Sequence, residues 1–277
     1  MADIAACLVD GQSGLQLPVS DRGLHYADGL FETMAWLNGR VPLLDRHWLR
    51  LLEGCQRLSL TPPDRRVIEK EIRFVAGDRP RAVVKLILTR GDGARGYRID
   101  PGMPTRRIVL SSRWPDRPAE WHENGIAVRI CATRLSVQPR VAGLKTLARL
   151  DQVLARGEWQ GDEFQEGLML DPGGRLVCGT MSNIFMVRGS RLVTPDLSRC
   201  GVAGVMRGLV MELADGAVPT LECRDVDPEE LGTCDELMLT NSLSGILPVR
   251  QLEGRTVEVG PVTRRLQELA RDRLAMR

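Results

Sequence analysis

Leu30-Phe31-Glu32-Thr33-Met34-Ala35-Trp36-Leu37, closed by Asn38-Gly39, is a β run ending in the dipeptide that best suits a tight turn. Directly after it, Leu44, Trp48, Leu51, Leu52, Cys55 and Leu58 recur at helical spacing. After the Pro62-Pro63 break the same period returns over Arg66 to Val75. Upstream, Ile4 to Val9, the turn Asp10-Gly11 and a further strand into Val19 extend the β pattern, and downstream Ala82 to Leu88 and Arg107 to Ser111 add two more runs. This part of the chain is predicted to be antiparallel β with two helices covering one face of the sheet.

The Pro115 to Pro118 stretch is polar and proline-rich, so it marks the domain boundary: residues 1–115 form one domain and 116–277 another. The second half offers strands near Ile126 to Ala132, Gly167 to Leu170, Ile184 to Val187 and Leu237 to Thr240. Helices are expected after Lys145, after Gly204 and from Val262 onward. Strands and helices that alternate without regular βαβ spacing give an α+β fold in two parts rather than a doubly wound parallel sheet.

Composition excludes several classes. With 38 Lys+Arg against 36 Asp+Glu and no basic run, nucleic acid is not the expected partner. Seven cysteines, odd in number and never in C-x-x-C pairs, argue against a disulfide framework or a zinc site, and His25, His47 and His122 form no metal-binding pattern. No metal is expected. The N-terminus lacks a basic start followed by an apolar run and no eighteen apolar residues occur together, so neither export nor membrane insertion is predicted, and the expected location is cytoplasmic.

Only Lys70, Lys85 and Lys145 are lysines, so any amine chemistry has three candidates. Lys70 lies among Glu69, Glu71 and Arg73, which reads as a solvated helix face, and Lys85 alternates with Val84 and Leu86 on a strand and reads as structural. Lys145 follows Gly143-Leu144 and precedes a stretch in which Leu147, Leu150, Val153 and Leu154 mark one face of a helix. Spacing alone leaves it an ordinary surface lysine ahead of a helix. The alternative is a partly desolvated amine, whose lowered pKa would suit attack on an aldehyde.

Two glycine-rich loops need separate readings. Gly91-Asp92-Gly93-Ala94-Arg95-Gly96 matches the dinucleotide fingerprint and follows a strand, but Tyr97 to Pro104 cannot open the helix that the fingerprint requires. Gly201-Val202-Ala203-Gly204 does run into a helical stretch, whose first N–H groups could hold a phosphate. On spacing alone an ordinary glycine-rich loop entry is the better reading.

Taken in order, Val19-Ser20-Asp21-Arg22-Gly23, Asp28-Gly29-Leu30-Phe31-Glu32-Thr33, His47-Trp48-Leu49-Arg50-Leu51, Thr89-Arg90-Gly91, Lys145-Thr146-Leu147, Ser182-Asn183-Ile184-Phe185, Gly204-Val205-Met206-Arg207 and Leu247-Pro248-Val249 resemble the fold-type IV pyridoxal-phosphate enzymes. The resemblance implies a two-domain D-amino acid aminotransferase-like fold, an N-terminal α/β sandwich followed by a cofactor-binding pseudobarrel. It also implies pyridoxal 5'-phosphate as cofactor and a homodimer. Within the family, the run Lys145 to Arg156 and Arg95-Gly96-Tyr97 are most similar to aminodeoxychorismate lyases, which turn 4-amino-4-deoxychorismate into p-aminobenzoate and pyruvate for folate synthesis. Branched-chain or D-amino acid aminotransferases are the competing reading, and a cofactor-binding protein that has lost catalysis is a third.

Position by position, the resemblance implies Lys145 as the lysine that carries the cofactor and acts as general base, and Arg50 as a phosphate ligand. It places the backbone at Val205 and Met206, with Ser242 and Leu243, around the phosphate, and Arg95 and Tyr97 in the loop that meets substrate carboxylates. Two positions depart from the pattern. Cys178 stands where the family usually has the glutamate that pairs with the pyridine nitrogen, and Ala148 where these lyases often carry asparagine. A neutral thiol is only a weak donor, so the electron sink is expected to be weaker, which favours an elimination driven by aromatisation over transamination.

Overall fold

A computed structural model describes residues 4–93, 95–100, 102–215, 218 and 220–274. The chain separates into two compact units, one of residues up to Asp116 together with Leu144–Ala148, the other of Arg117–Gly143 with Arg149 onward. The short segment around Lys145 is thus part of the first unit.

In the first unit the elements run β1 (Ile4–Val9), β2 (Gln12–Ser13), α1 (Arg22–Tyr26), β3 (Gly29–Leu37), α2 (Leu44–Leu58), α3 (Arg65–Ala76), β4 (Arg81–Thr89) and β5 (Arg106–Ser112). The strands form one sheet in the order β2-β1-β5-β4-β3, antiparallel throughout. Both expected turns form, with left-handed φ at Asp10 and Gly11 and at Asn38 and Gly39. The strand expected into Val19 stops at Ser13, and beyond it Leu15 and Val19 stand 72% and 80% exposed.

Period-two alternation divides this sheet. Leu30, Met34, Val84, Leu86, Leu88 and Val109 point to one face, where α2 and α3 cover them with Leu51, Cys55, Ile68, Ile72 and Val75 in a continuous core. Phe31, Thr33, Lys85 and Ile87 alternate with them onto the other face and are only partly buried. Asp64 caps α3 by accepting from the N–H groups of Arg66 and Val67, a cap worth about 1 kcal/mol.

The second unit holds α4 (Glu120–Asn124), β6 (Ile126–Arg134), α5 (Leu150–Arg156), β7 (Glu166–Leu170), β8 (Leu176–Gly179), β9 (Asn183–Arg188), β10 (Arg191–Pro195), α6 (Val205–Ala214), β11 (Thr220–Arg224), a 3-10 turn at Pro228–Gly232, β12 (Glu236–Asn241), β13 (Gly245–Leu252), β14 (Arg255–Thr256) and α7 (Pro261–Leu274). Its sheet runs β11-β10-β9-β12-β13-β6-β7-β8, with β14 beside β13. Pairing is mixed: β10 with β11, β13 with β6 and β6 with β7 are parallel, the rest antiparallel. The α+β reading holds. Among the described residues no helix is long and apolar enough to cross a membrane.

The helix expected directly after Lys145 forms only from Leu150, and its burial is the reverse of the expected one. Leu150, Val153 and Leu154 are 68%, 64% and 56% exposed, and the buried residue of α5 is Ala155. Residues before it are held extended against β3, so the helix begins four residues later than expected.

Candidate functional site

Lys145 is held by backbone bonds on both sides of a strand edge. Its carbonyl accepts from Phe31 N at 2.9 Å, Leu147 N donates to the Gly29 carbonyl at 3.0 Å, and Thr146 bridges Leu30. The close approach needs glycine at position 29, where a Cβ would fall 2.3 Å from the Leu88 carbonyl oxygen and 2.8 Å from Leu147 Cδ1. Leu144 and Thr146 are buried on either side, so the Lys145 side chain leaves a fixed backbone. Its Nζ lies 4.3 Å from the centre of the Phe31 ring, within cation–π distance.

Arg50 belongs to a buried ionic cluster on the helix-covered face of the same unit. Glu32 reaches in from β3; its Oε1 accepts from Arg50 Nε at 2.8 Å and its Oε2 from Arg50 Nη2 at 2.5 Å. His47 Nδ1 lies 2.6 Å from Oε2 of the same carboxylate. An ionised carboxylate can only accept, so His47 carries its proton on Nδ1. Burial alone would raise the Glu32 pKa, but Arg50 and His47 outweigh it and bring it down to about 2. The i, i+3 spacing of His47 and Arg50 signals that both lie on one face of α2, yet nothing in the sequence tells that Glu32 is what they meet.

In the second unit, Cys178 sits on β8 at 6% exposure. Burial pushes its thiol up to about 12, with the charge of Glu166 and the thiol of Cys200 acting in the same direction and Arg149 against them. Cys178 is therefore a neutral thiol. Glu166 is itself buried at the start of β7, where it accepts from Thr180 N at 3.0 Å, Met181 N at 3.1 Å, Ser182 Oγ at 2.9 Å and the Thr180 hydroxyl. One carboxylate thereby fixes the loop that follows Cys178. No spacing pattern marked Glu166.

A second fixed loop enters α6. Asn183 accepts from Gly204 N at 3.1 Å and donates to the Val202 carbonyl at 2.8 Å, which sets the path into the first turn at Val205 and Met206. A Cβ at Gly204 would lie 2.1 Å from Asn183 Oδ1, so the bare cap is a steric requirement. The cap residue offers no side chain to the helix start, whose N–H groups carry the positive end of the helix dipole. Near the end of β12 the turn Asn241 to Ser244 is closed by Asn241 Oδ1, which accepts from Leu243 N at 3.0 Å and Ser244 N at 2.8 Å. The N–H of Leu243 is thus already engaged, and Ser242 is half-buried beside it.

Arg95 and Tyr97 lie on an exposed loop of the first unit. Tyr97 is 83% exposed and its ring meets Tyr26 edge-on at 5.2 Å. Buried Arg22 ties the loop down, donating from Nη1 to the Gly96 carbonyl and from Nε to Asp28, both at 2.9 Å. Among the described residues no helix follows Gly96 before β5, which removes the dinucleotide reading; Ala94 of that motif lies outside the described residues.

Residues 29–252 match the family model described as amino-transferase class IV. The chain belongs to the class IV aminotransferase family. Within class IV, it is 31% identical over 264 residues to an aminodeoxychorismate lyase of Vibrio harveyi, covering 94% of this chain and 97% of the relative. The crystal structure of 4-amino-4-deoxychorismate lyase from Pseudomonas aeruginosa superposes with a TM-score of 0.91 at 47% identity, covering 96% of this chain and 98% of that one. A solved structure described as a hypothetical aminotransferase from Mycobacterium tuberculosis in its PLP-bound form shares the fold, with a TM-score of 0.81 at 20% identity over 98% of this chain and 99% of that one.

Proposed function

We propose that this chain is a pyridoxal-5'-phosphate-dependent lyase that converts 4-amino-4-deoxychorismate into p-aminobenzoate and pyruvate, a step of folate biosynthesis. The observation that carries the reading is the 47% identity to the Pseudomonas lyase over 96% of the chain, against 20% to the M. tuberculosis aminotransferase.

The donor set suits a phosphorylated aldehyde. An amine on a fixed backbone (Lys145), a guanidinium held by a carboxylate (Arg50) and a helix start that only glycine can cap (Val205 and Met206 after Gly204) are what such a group needs. Lys145 would hold it covalently, and Arg50, the N–H groups of Val205 and Met206, and Ser242 would take its phosphate. Leu243 would serve through the turn it closes, since Asn241 engages its N–H. Arg95 and Tyr97 would meet substrate carboxylates.

When bound, the cofactor supplies an electron sink next to the substrate's amine-bearing carbon. Lys145 Nζ would take the proton from that carbon as general base. The neighbouring ring C–O bond then breaks, the ring becomes aromatic, and the departing enolpyruvate gains a proton at its methylene carbon to become pyruvate, so the substrate divides into two products with no co-reactant. The neutral Cys178 thiol cannot hold a proton on a ring nitrogen as a carboxylate does. Deep carbanion stabilisation is then weak, and aromatisation supplies the drive that transamination lacks.

Self-association is part of the proposal. Leu150, Val153 and Leu154 present an apolar face on α5 that a second copy would cover, giving a homodimer. The seven free thiols suit a reducing cytoplasm. Incubation of the purified protein with 4-amino-4-deoxychorismate tests the activity: p-aminobenzoate and pyruvate in equal amounts support the lyase, whereas turnover of an amino donor with a keto acid and none of the lyase substrate would replace it with an aminotransferase.

A further inference from the structure

Arg117 stands in the proline-rich stretch that the sequence marks as a domain boundary, and it begins the second unit. Its Nη1 donates to the hydroxyl of Ser244, a buried residue that ends the turn Asn241 to Ser244. Every polar group of Ser244 is thereby engaged, since its N–H donates to Asn241 Oδ1 at 2.8 Å and its carbonyl accepts from His122 Nε2 at 2.8 Å. The turn is tied both to Arg117 and to α4.

Sheet register puts this turn beside the other loops proposed to take the cofactor phosphate. Thr240, the residue before the turn, pairs with Asn183 on β9, and Asn183 fixes Gly204 at the entry to α6. The loop Thr180 to Ser182 leads into Asn183 and is gathered by Glu166, whose charge also acts on Arg117. Glu166 is already taken up by that loop. Arg117 is half-buried, and among the described residues no carboxylate forms an ion pair with it. Other arginines of this unit behave differently: Arg199 pairs with Asp225, and Arg224 with Glu222 and Glu230.

A phosphate monoester carries about 1.5 to 2 negative charges at neutral pH, and a helix start offsets only about half of one. Arg50 shares its charge with Glu32. A second cation is therefore needed, and a half-buried guanidinium without an acid loses solvation that an arriving anion would replace.

We propose that Arg117 is a positioning residue for the cofactor phosphate: tethered by Ser244, it sets the turn that carries Ser242 and lends its charge to the phosphate there. The inference rests on the reading that this turn receives the phosphate.

The experiment titrates apoprotein with pyridoxal phosphate and with unphosphorylated pyridoxal, in the parent, Arg117→Gln, Arg117→Lys and Ser244→Ala, each shown to be folded by circular dichroism. Arg117→Gln should raise Kd for pyridoxal phosphate roughly 10- to 100-fold and leave that for pyridoxal within about twofold. Arg117→Lys should recover part of the loss. Ser244→Ala keeps the charge but removes its tether, so it should lose less, in the same direction. Phosphorus NMR of the loaded proteins gives a second readout: a nearby cation favours the phosphate dianion, so its titration midpoint should rise in Arg117→Gln. An unchanged preference for the phosphorylated aldehyde in Arg117→Gln, or equal loss for both aldehydes with an unmoved phosphorus titration, overturns the proposal. Should Arg117→Gln not fold, the preference measured in Ser244→Ala decides in its place. A parent that binds pyridoxal phosphate no more tightly than pyridoxal would contradict the phosphate site itself, whereas a preference present in the parent and kept in Arg117→Gln would contradict only the role of Arg117.

Discussion

Glu32 and Arg50 meet side-on, with Nε and Nη2 of the guanidinium on the two oxygens of the carboxylate at 2.8 and 2.5 Å. This fixes the plane and heading of Arg50, and the 2.6 Å contact of His47 fixes the carboxylate in turn. The cluster also explains why a carboxylate can be buried under α2 at all.

Glu32→Gln removes the charge and leaves one acceptor for three donor atoms. The Glu32 pKa falls from an ordinary 4.5 to about 2, so this carboxylate stabilises the fold above about pH 4.5 and the contribution fades as pH drops toward 2. Denaturation of parent and variant across that range should show the largest gap near neutrality and a gap that narrows with acid. Apoenzyme titrated with pyridoxal phosphate should bind more weakly in the variant, while unphosphorylated pyridoxal binds alike in both. Equal loss for both aldehydes would show that the cluster does not act through the phosphate.

Cys178→Glu places a carboxylate where a neutral thiol stands, near Glu166 and Arg149. A protonated ring nitrogen should follow, seen as a shift of the cofactor absorption band, with more amino transfer per lyase turnover. Unchanged spectrum and unchanged partition would mean that this residue does not meet the ring nitrogen.

Gly204→Ala drives a methyl group to within 2.1 Å of Asn183 Oδ1. Either the asparagine or the first turn of α6 must move, at about 1–3 kcal/mol. The melting temperature should drop, and the affinity for pyridoxal phosphate should fall by a larger factor than in Asn183→Ser, which removes the contact without the clash. Unaltered cofactor affinity in Gly204→Ala would separate α6 from the phosphate.

Local period carried most of the fold into the sequence. The core strands β3 and β4 and the helices α2 and α3 are visible because their apolar residues recur at two or at three to four positions, and the turns at Asp10-Gly11 and Asn38-Gly39 because their φ values need those residues. Strands β8, β10, β11 and β13 were missed: β8 is four residues long, and Pro248 and Pro195 interrupt or end β runs. The stretch after Lys145 misled for a different reason. Its helical period belongs to α5, whose apolar residues face outward, and the extended path of Leu144 to Ala148 depends on Gly29, about 115 residues earlier in the chain. Of the site, Lys145, Arg50 and Gly204 were legible by resemblance. The groups that hold Arg50, Gly204 and the loop after Cys178, namely Glu32 with His47, Asn183 and Glu166, were not assigned, because a hydrogen-bond partner distant in sequence leaves no spacing to read.

The most direct test of the account is the product assay on parent and Lys145→Ala proteins supplied with pyridoxal phosphate and 4-amino-4-deoxychorismate. The parent should release p-aminobenzoate and pyruvate one for one and Lys145→Ala should release neither above background. Equal turnover by the two proteins, or none by a parent that visibly holds its cofactor, would contradict it.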